Sequence, residues 1–353
     1  MLEGRTYVPL LHARLAEMRA LRELPTPTKN LILPVVRIRP WLNARQLHKV
    51  FDVLSDAFGD RAFGLDLDRT KFEPLSNRPA YQEFARLFDP QGGFANYYDC
   101  VAISPNRIPV IRREGGVTPQ MALQLDQVGV IDRGAIFRFE VGQQGDYINF
   151  AQQCLARGIE NIVFVIDCGW RMDVLGQAAE CVTLTNHILD VSDEFEIVIA
   201  GSSFPNSFGN MGARANFPIG ERILFQNVRQ NINRGVLCYG DWGSTRPPTD
   251  PVPMINVPRI DIAGRENWTA WRSEGGESYG DIASRVVLDP IWDEDSGLWG
   301  DYMIASTAQG LDPAIRAPAM AAAVRVNLHM NMQAHFAQPG GAVVQDEPVG
   351  EDL

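Results

Sequence analysis

The chain predicts an α/β fold: an eight-stranded parallel (βα)8 TIM-like barrel with a C-terminal α+β extension. Three observations lead there. Between Tyr7 and Trp242 a short β-branched run is followed by a helix-like run eight times, and strands alternating with helices favour parallel βαβ units. Most of these strands start about 30 residues apart, the length of one such unit. The repeat covers roughly 240 residues, close to the ~250 typical of a closed barrel.

Strand one is Tyr7 to Leu11, and Leu15, Met18 and Leu21 give the next segment, about Arg14 to Leu24, a helical spacing. Strand two is Leu31 to Ile38, with a helix over Ala44 to Phe58; strand three is Arg61 to Leu67. Tyr81 to Phe88 reads as a helix that Pro90-Gln91-Gly92-Gly93 breaks, and Ala95 to Ile103 completes that crossover. Strand four, Ile108 to Ile111, leads to a helix over Pro119 to Val128. Strand five, Ala135 to Val141, leads to one over Tyr147 to Arg157. Strand six, Asn161 to Ile166, is followed by a long helix from Val174 to Val191. Strand seven, Phe195 to Ala200, is followed by one from Gly220 to Gln230, and strand eight is Gly235 to Tyr239.

The pattern changes after Trp242. Thr245 to Pro253 is Pro-rich and marks a boundary, and the segment beyond it holds four of the seven tryptophans, which argues for packing rather than disorder. From Val324 to Phe336 apolar and polar residues alternate strictly, which predicts a half-buried strand with His329 and His335 on its polar face. Pro318 to Ala323 before it reads as a helical turn or an approach loop. The expected organisation is a barrel over 1–245, an α+β extension over 246–337 packed on it, and a mobile acidic tail over 338–353.

Composition narrows the function classes. The chain is 45% hydrophobic and 21% charged, an ordinary globular balance. Its 43 acidic and 32 basic residues leave a net charge of −11, which disfavours non-specific nucleic-acid binding. The five cysteines are widely spaced with no C-x-x-C, and read as reduced core thiols of a cytoplasmic protein. The N-terminus lacks the pattern of a signal peptide, and no run approaches the ~18 apolar residues of a membrane span.

Charges on barrel strands carry the functional reading, because a buried charge without a partner costs several kcal/mol. Arg37 and Arg39 lie in phase with Val35. Asp66 and Asp68 follow on strand three, Arg112 and Arg113 on strand four, and Arg138 and Glu140 on strand five. Asp167, Ser202-Ser203 and Asp241 close strands six to eight. Asp66 and Asp68 are candidate ligands of a hard cation such as magnesium. Glu140, Asp167 and Asp241 are candidate bases or further ligands. Arg112 and Arg138 suit a small anionic ligand. Ser203, lacking a His and Asp in triad order, is placed as a ligand contact, and His329 joins the site if its strand covers the barrel mouth. The same charges also fit an internal ion-pair network, and both readings stand at this point. His12 follows strand one and could reach the rim, but a capping or surface role is the favoured reading. Phosphate-loop, H-E-x-x-H and G-x-S-x-G motifs are absent, and Gly115-Gly116 reads as an ordinary turn.

Several segments resemble the "beta protein" family of bacteria, phages and mobile elements. They are Tyr7-Val8-Pro9-Leu10-Leu11 with Glu17, Ala20 and Leu21, then Leu33-Pro34-Val35, Leu65-Asp66-Leu67 and Val165-Ile166-Asp167. Ala200 to Pro205, Tyr239-Gly240-Asp241, Trp299 to Ile304 and Asn327-Leu328-His329 complete the set. The resemblance implies a barrel-like fold and a phage or defence-island context, and brings no established activity. The family's Trp-Arg pair and double His are here Val324-Arg325 and the single His329, which weakens a His-based mechanism. The expected role is a non-catalytic recognition or assembly protein with a protein partner. The alternative is a barrel enzyme acting on a small anionic ligand, a metal-assisted phosphoester hydrolase.

Overall fold

A computed structural model of the chain describes residues 1–68, 78–171, 173, 175–247 and 257–337. Residues 248–256 of the Pro-rich stretch and its neighbours, and the 338–353 tail, lie outside them. The described residues fall into two compact units: Met1–Arg14, Leu33–Phe204 and Ile219–Asp250 form one; Leu15–Ile32, Pro205–Pro218 and Pro251–Leu353 form the other.

The first unit is the barrel. Its strands are β1 (Tyr7–His12), β2 (Val35–Ile38), β3 (Phe63–Leu67), β4 (Arg107–Pro109), β5 (Ala135–Glu140), β6 (Ile162–Trp170) and β7 (Glu196–Ser202). After β8 (Arg214–Pro218), which belongs to the second unit, comes the eighth barrel strand, β9 (Val236–Asp241). They pair in parallel in the order β4-β3-β2-β1-β9-β7-β6-β5. A parallel bridge between Val110 and Ile136, with Ile111 N–H donating to Ile136 O at 2.9 Å, joins the two ends of that order.

The strands are near-continuous runs of Val, Ile, Leu and Phe because both faces are buried. Outward residues pack under helices: Phe137 stacks on Phe150 of the helix Tyr147–Arg157, with ring centroids 4.2 Å apart. Inward residues form rungs across the strands. Leu10, Val35, Gly64 and Ile108 are consecutive partners in one rung, as are Val165, Val198 and Cys238 in another. One step further along the strands the rungs turn polar: His12, Arg37 and Asp66 are in register, and so are Glu140 and Asp167. The apolar interior therefore ends in an ionic layer at the C-terminal mouth.

Gly240 lies in this interior opposite Val8. A Cβ there would sit 2.7 Å from Val198 Cγ1 and 2.9 Å from the Val8 carbonyl oxygen. Since the carbonyl belongs to the barrel backbone, it cannot swing aside as a side chain would. Gly240→Ala is expected to cost about 1–3 kcal/mol by overpacking, seen as a lower urea midpoint at unchanged slope. An unchanged midpoint would show that the interior yields at that rung.

The second unit is built on an antiparallel sheet ordered β10-β11-β8, where β10 is Arg259–Ala263 and β11 is Asn267–Arg272. Trp268 and Trp271 of β11 are buried. The strict alternation of 324–336 predicts a strand, but the structure has one helix, Pro318–Ala334. The alternation misleads because this helix is buried nearly all round, so its polar residues mark no solvent face. Several of them bond inside the protein instead. Arg325 Nη1 donates to Asp261 at 2.9 Å, Asn327 Nδ2 to Ala20 O at 3.0 Å, and Gln333 Nε2 to Arg265 O at 3.2 Å. Asn331 Oδ1 accepts from Thr28 Oγ1 at 2.6 Å. Pro318 in the first turn and the Ala-rich run after it favour the helix.

The segment after strand one is a helix as expected, Leu15–Arg22, but it belongs to the second unit and packs along the Pro318–Ala334 helix. No helix among the described residues is long and apolar enough to cross a membrane. All five cysteines are free and buried.

Candidate functional site

Strand phase divides the sequence-predicted site residues into separate groups. Asp66, Asp68, Arg112, Arg138, Glu140 and Asp167 face the barrel mouth. At its centre Asp66 meets three guanidinium groups: Arg112 at 3.1 Å, Arg138 at 3.4 Å and Arg37 at 3.5 Å. Arg138 also donates to Asp167 at 2.7 Å and lies 3.9 Å from half-exposed Glu140. Burial works against the Arg138 charge, but Asp66, Asp167 and Glu140 outweigh it and raise its pKa. Asp167 also accepts from the Trp242 indole N–H at 3.1 Å and the Gly169 N–H at 2.9 Å. Asp68 lies 4.0 Å from Arg37 and 3.8 Å from both Arg39 and His12.

Two mouth residues were missed. His12 is the last residue of β1 and continues the inward phase of Val8 and Leu10. It is buried rather than capping, and it stacks on Trp242 at 5.6 Å. The signal for it was the β1 phase carried one step further. Trp242 is buried just past β9, with Arg37 and Arg138 at 5.7 and 5.8 Å from its ring. Burial, then Arg14 and Arg37, push the His12 imidazole down to about 3 against the opposing pull of Asp68, so it is neutral at ordinary pH.

Arg113 points out of the barrel phase. Its Nη2 donates to the carbonyl oxygens of Gly116, Gln143 and Gln144 at 2.7–3.1 Å. It therefore pins the loops after β4 and β5 together. Between them and the mouth lies a small open cleft of about 70 Å³, lined by Asp66, Arg138, Glu140, Arg113 and Gly115-Gly116.

Asp241 and Ser203 form a second, distinct group outside the barrel interior. Because Cys238 is inward, Asp241 is on the opposite face of β9. It accepts from Tyr7, from Tyr239 at 2.7 Å and from the Gly243 N–H at 2.7 Å. Ser203 donates through its hydroxyl and its N–H to Glu221, and its Oγ accepts from the Gly220 N–H at 2.8 Å. This ties the end of β7 to the start of the helix Gly220–Asn231. Arg222 of that helix lies over the Tyr239 ring at 3.4 Å. Burial, then Asp241, push Glu221 up to about 8.

His329 belongs to the second unit, on the Pro318–Ala334 helix, where its Nδ1 accepts from the Trp268 indole N–H at 3.3 Å. Among the described residues no group of three or more His, Cys, Asp and Glu side chains is arranged to hold a metal ion. The carboxylates of the mouth face guanidinium groups instead.

The family model described as Beta protein matches residues 7–335. The chain is also similar to Protein beta of Enterobacteria phage P4: the two are 28% identical over an alignment of 351 positions that covers 95% of either chain. No solved structure matches it.

Proposed function

We propose that this chain, which belongs to the Beta protein family, is a non-catalytic recognition or assembly protein of a phage-related or anti-phage defence system, with a protein as its partner. One observation carries this reading. The buried mouth carboxylates Asp66 and Asp167 are held by guanidinium, indole and backbone N–H groups. These donors occupy the sides of each carboxylate that a general base would have to turn toward a substrate proton. The barrel then serves as a scaffold whose mouth strands are tied together by paired charges. The similarity to the phage P4 protein supplies the phage setting, and the acidic balance turns the choice of partner away from nucleic acid.

The test combines capture and turnover. The tagged full chain, taken from phage-infected and uninfected cells, is expected to bring down a protein in fixed stoichiometry. It is also expected to turn over no member of a phosphoester panel with magnesium or manganese. Metal-dependent turnover that disappears in a folded Asp66→Asn, Asp167→Asn variant would overturn the proposal.

A further inference from the structure

We infer that the barrel mouth is a binding site for a small oxyanion, a phosphate or carboxylate group, held beside His12 and Arg138. This goes beyond the assembly role and does not depend on it.

Two observations meet at Arg138, which lines the cleft and shares the Trp242 ring with His12. The first is the cleft, which opens at the end of the barrel where sites of this architecture form. Its charged lining includes Arg113, Arg138, Asp66 and Glu140. The second is a set of buried polar atoms with no hydrogen-bond partner. Neither ring nitrogen of His12 has one, although the side chain is 1% exposed. The nearest charged oxygen, on Asp68, is 3.8 Å away, beyond hydrogen-bonding reach. The Nε–H groups of Arg113 and Arg138, which line the cleft, are also unpartnered.

Native proteins leave few buried polar groups unsatisfied, and a cluster of them points to a bound species. The unsatisfied groups of His12, Arg113 and Arg138 are mainly donors. The missing species must therefore be rich in acceptor lone pairs, and an oxyanion is. The charges facing His12 agree: Arg14, Arg37 and Arg138 outnumber Asp68. A neutral imidazole in that setting offers one N–H to an oxyanion oxygen and one lone pair to a hydroxyl, such as that of monoprotonated phosphate. Trp242, fixed by its hydrogen bond to Asp167, backs the imidazole as a rigid wall.

The experiment is calorimetric titration of the full-length protein with inorganic phosphate and, separately, sodium acetate, each against chloride at matched ionic strength. His12→Phe is the test variant, because it keeps a ring against Trp242 and removes the two unsatisfied nitrogens. Its melting temperature should not fall. Saturable one-site binding of either anion, weakened about ten-fold or more in His12→Phe, is the expected result. Binding of phosphate alone assigns a phosphate site, and equal binding of acetate assigns a carboxylate site. In the wild type the ring nitrogens of His12, followed by nitrogen NMR, should shift in step with occupancy. No saturable binding above the chloride control, or equal affinity in His12→Phe and the wild type, would overturn the inference. So would binding that leaves the His12 resonances unmoved. Partner capture that survives any of these failures leaves the assembly role standing.

Discussion

Asp66→Ala is expected to destabilise the protein by about 3–5 kcal/mol, the cost of removing one partner from a buried ion pair. The reason is that a single carboxylate faces Arg112, Arg138 and Arg37 within 3.5 Å. Arg138 keeps Asp167, and Arg37 keeps Asp68 at 4.0 Å. Arg112, however, is 1% exposed and has no other acidic partner among the described residues. It is left as a buried cation between the rings of Phe88 and Tyr97. Asp66→Asn should cost less, because the amide oxygen still accepts a hydrogen bond. Adding Arg112→Met to Asp66→Ala should recover part of the loss, a coupling that a double-mutant cycle in urea reads directly. A loss below about 1 kcal/mol for Asp66→Ala would mean that water reaches the layer and screens it.

Stability is expected to fall as pH rises from about 5 to 8, through Glu221. Its folded pKa, about 8, is raised above the ordinary 4.5. In that window the folded chain holds a proton that the unfolded chain releases. The contribution is therefore complete below the unfolded value and is lost as pH rises through the folded one. Each unit of difference corresponds to about 1.4 kcal/mol, so the total is on the order of a few kcal/mol. Glu221→Gln keeps the acceptor for Ser203 and removes the titration. The variant should flatten this part of the profile and be more stable than the wild type at pH 8. Asp241 contributes to the shift, so Asp241→Asn should move the wild-type inflection to lower pH. Parallel profiles for wild type and Glu221→Gln between pH 5 and 8 would rule Glu221 out as the source.

The barrel was legible because its strands repeat a chemical pattern that only buried parallel sheets need, and because charge begins where each strand ends. Asp66, Arg138 and Asp167 could be placed at the mouth on that basis. Asp241 could not be separated from them. In β9 both faces are apolar up to Tyr239, so nothing in Val236 to Tyr239 says which phase is inward. Contacts of Cys238 and Tyr239 decide it. The Pro318–Ala334 helix was hidden for the opposite reason: its polar side chains are buried and bonded, so polarity did not report exposure. The β8 strand was missed because its partner strand β11 lies about 50 residues later in the chain.

The long reach of the second unit has a consequence for how the chain is made. Asn327 bonds to Ala20 across 307 residues, and Asn331 to Thr28 across 303. At about 5–20 residues per second, a ribosome takes roughly 15–60 s to deliver the partner of a segment it made near the start. For that interval Leu15–Ile32, sitting between the first two barrel strands, has no permanent home. Leu15–Ile32 can take its final bonds only after the Pro318–Ala334 helix has been made.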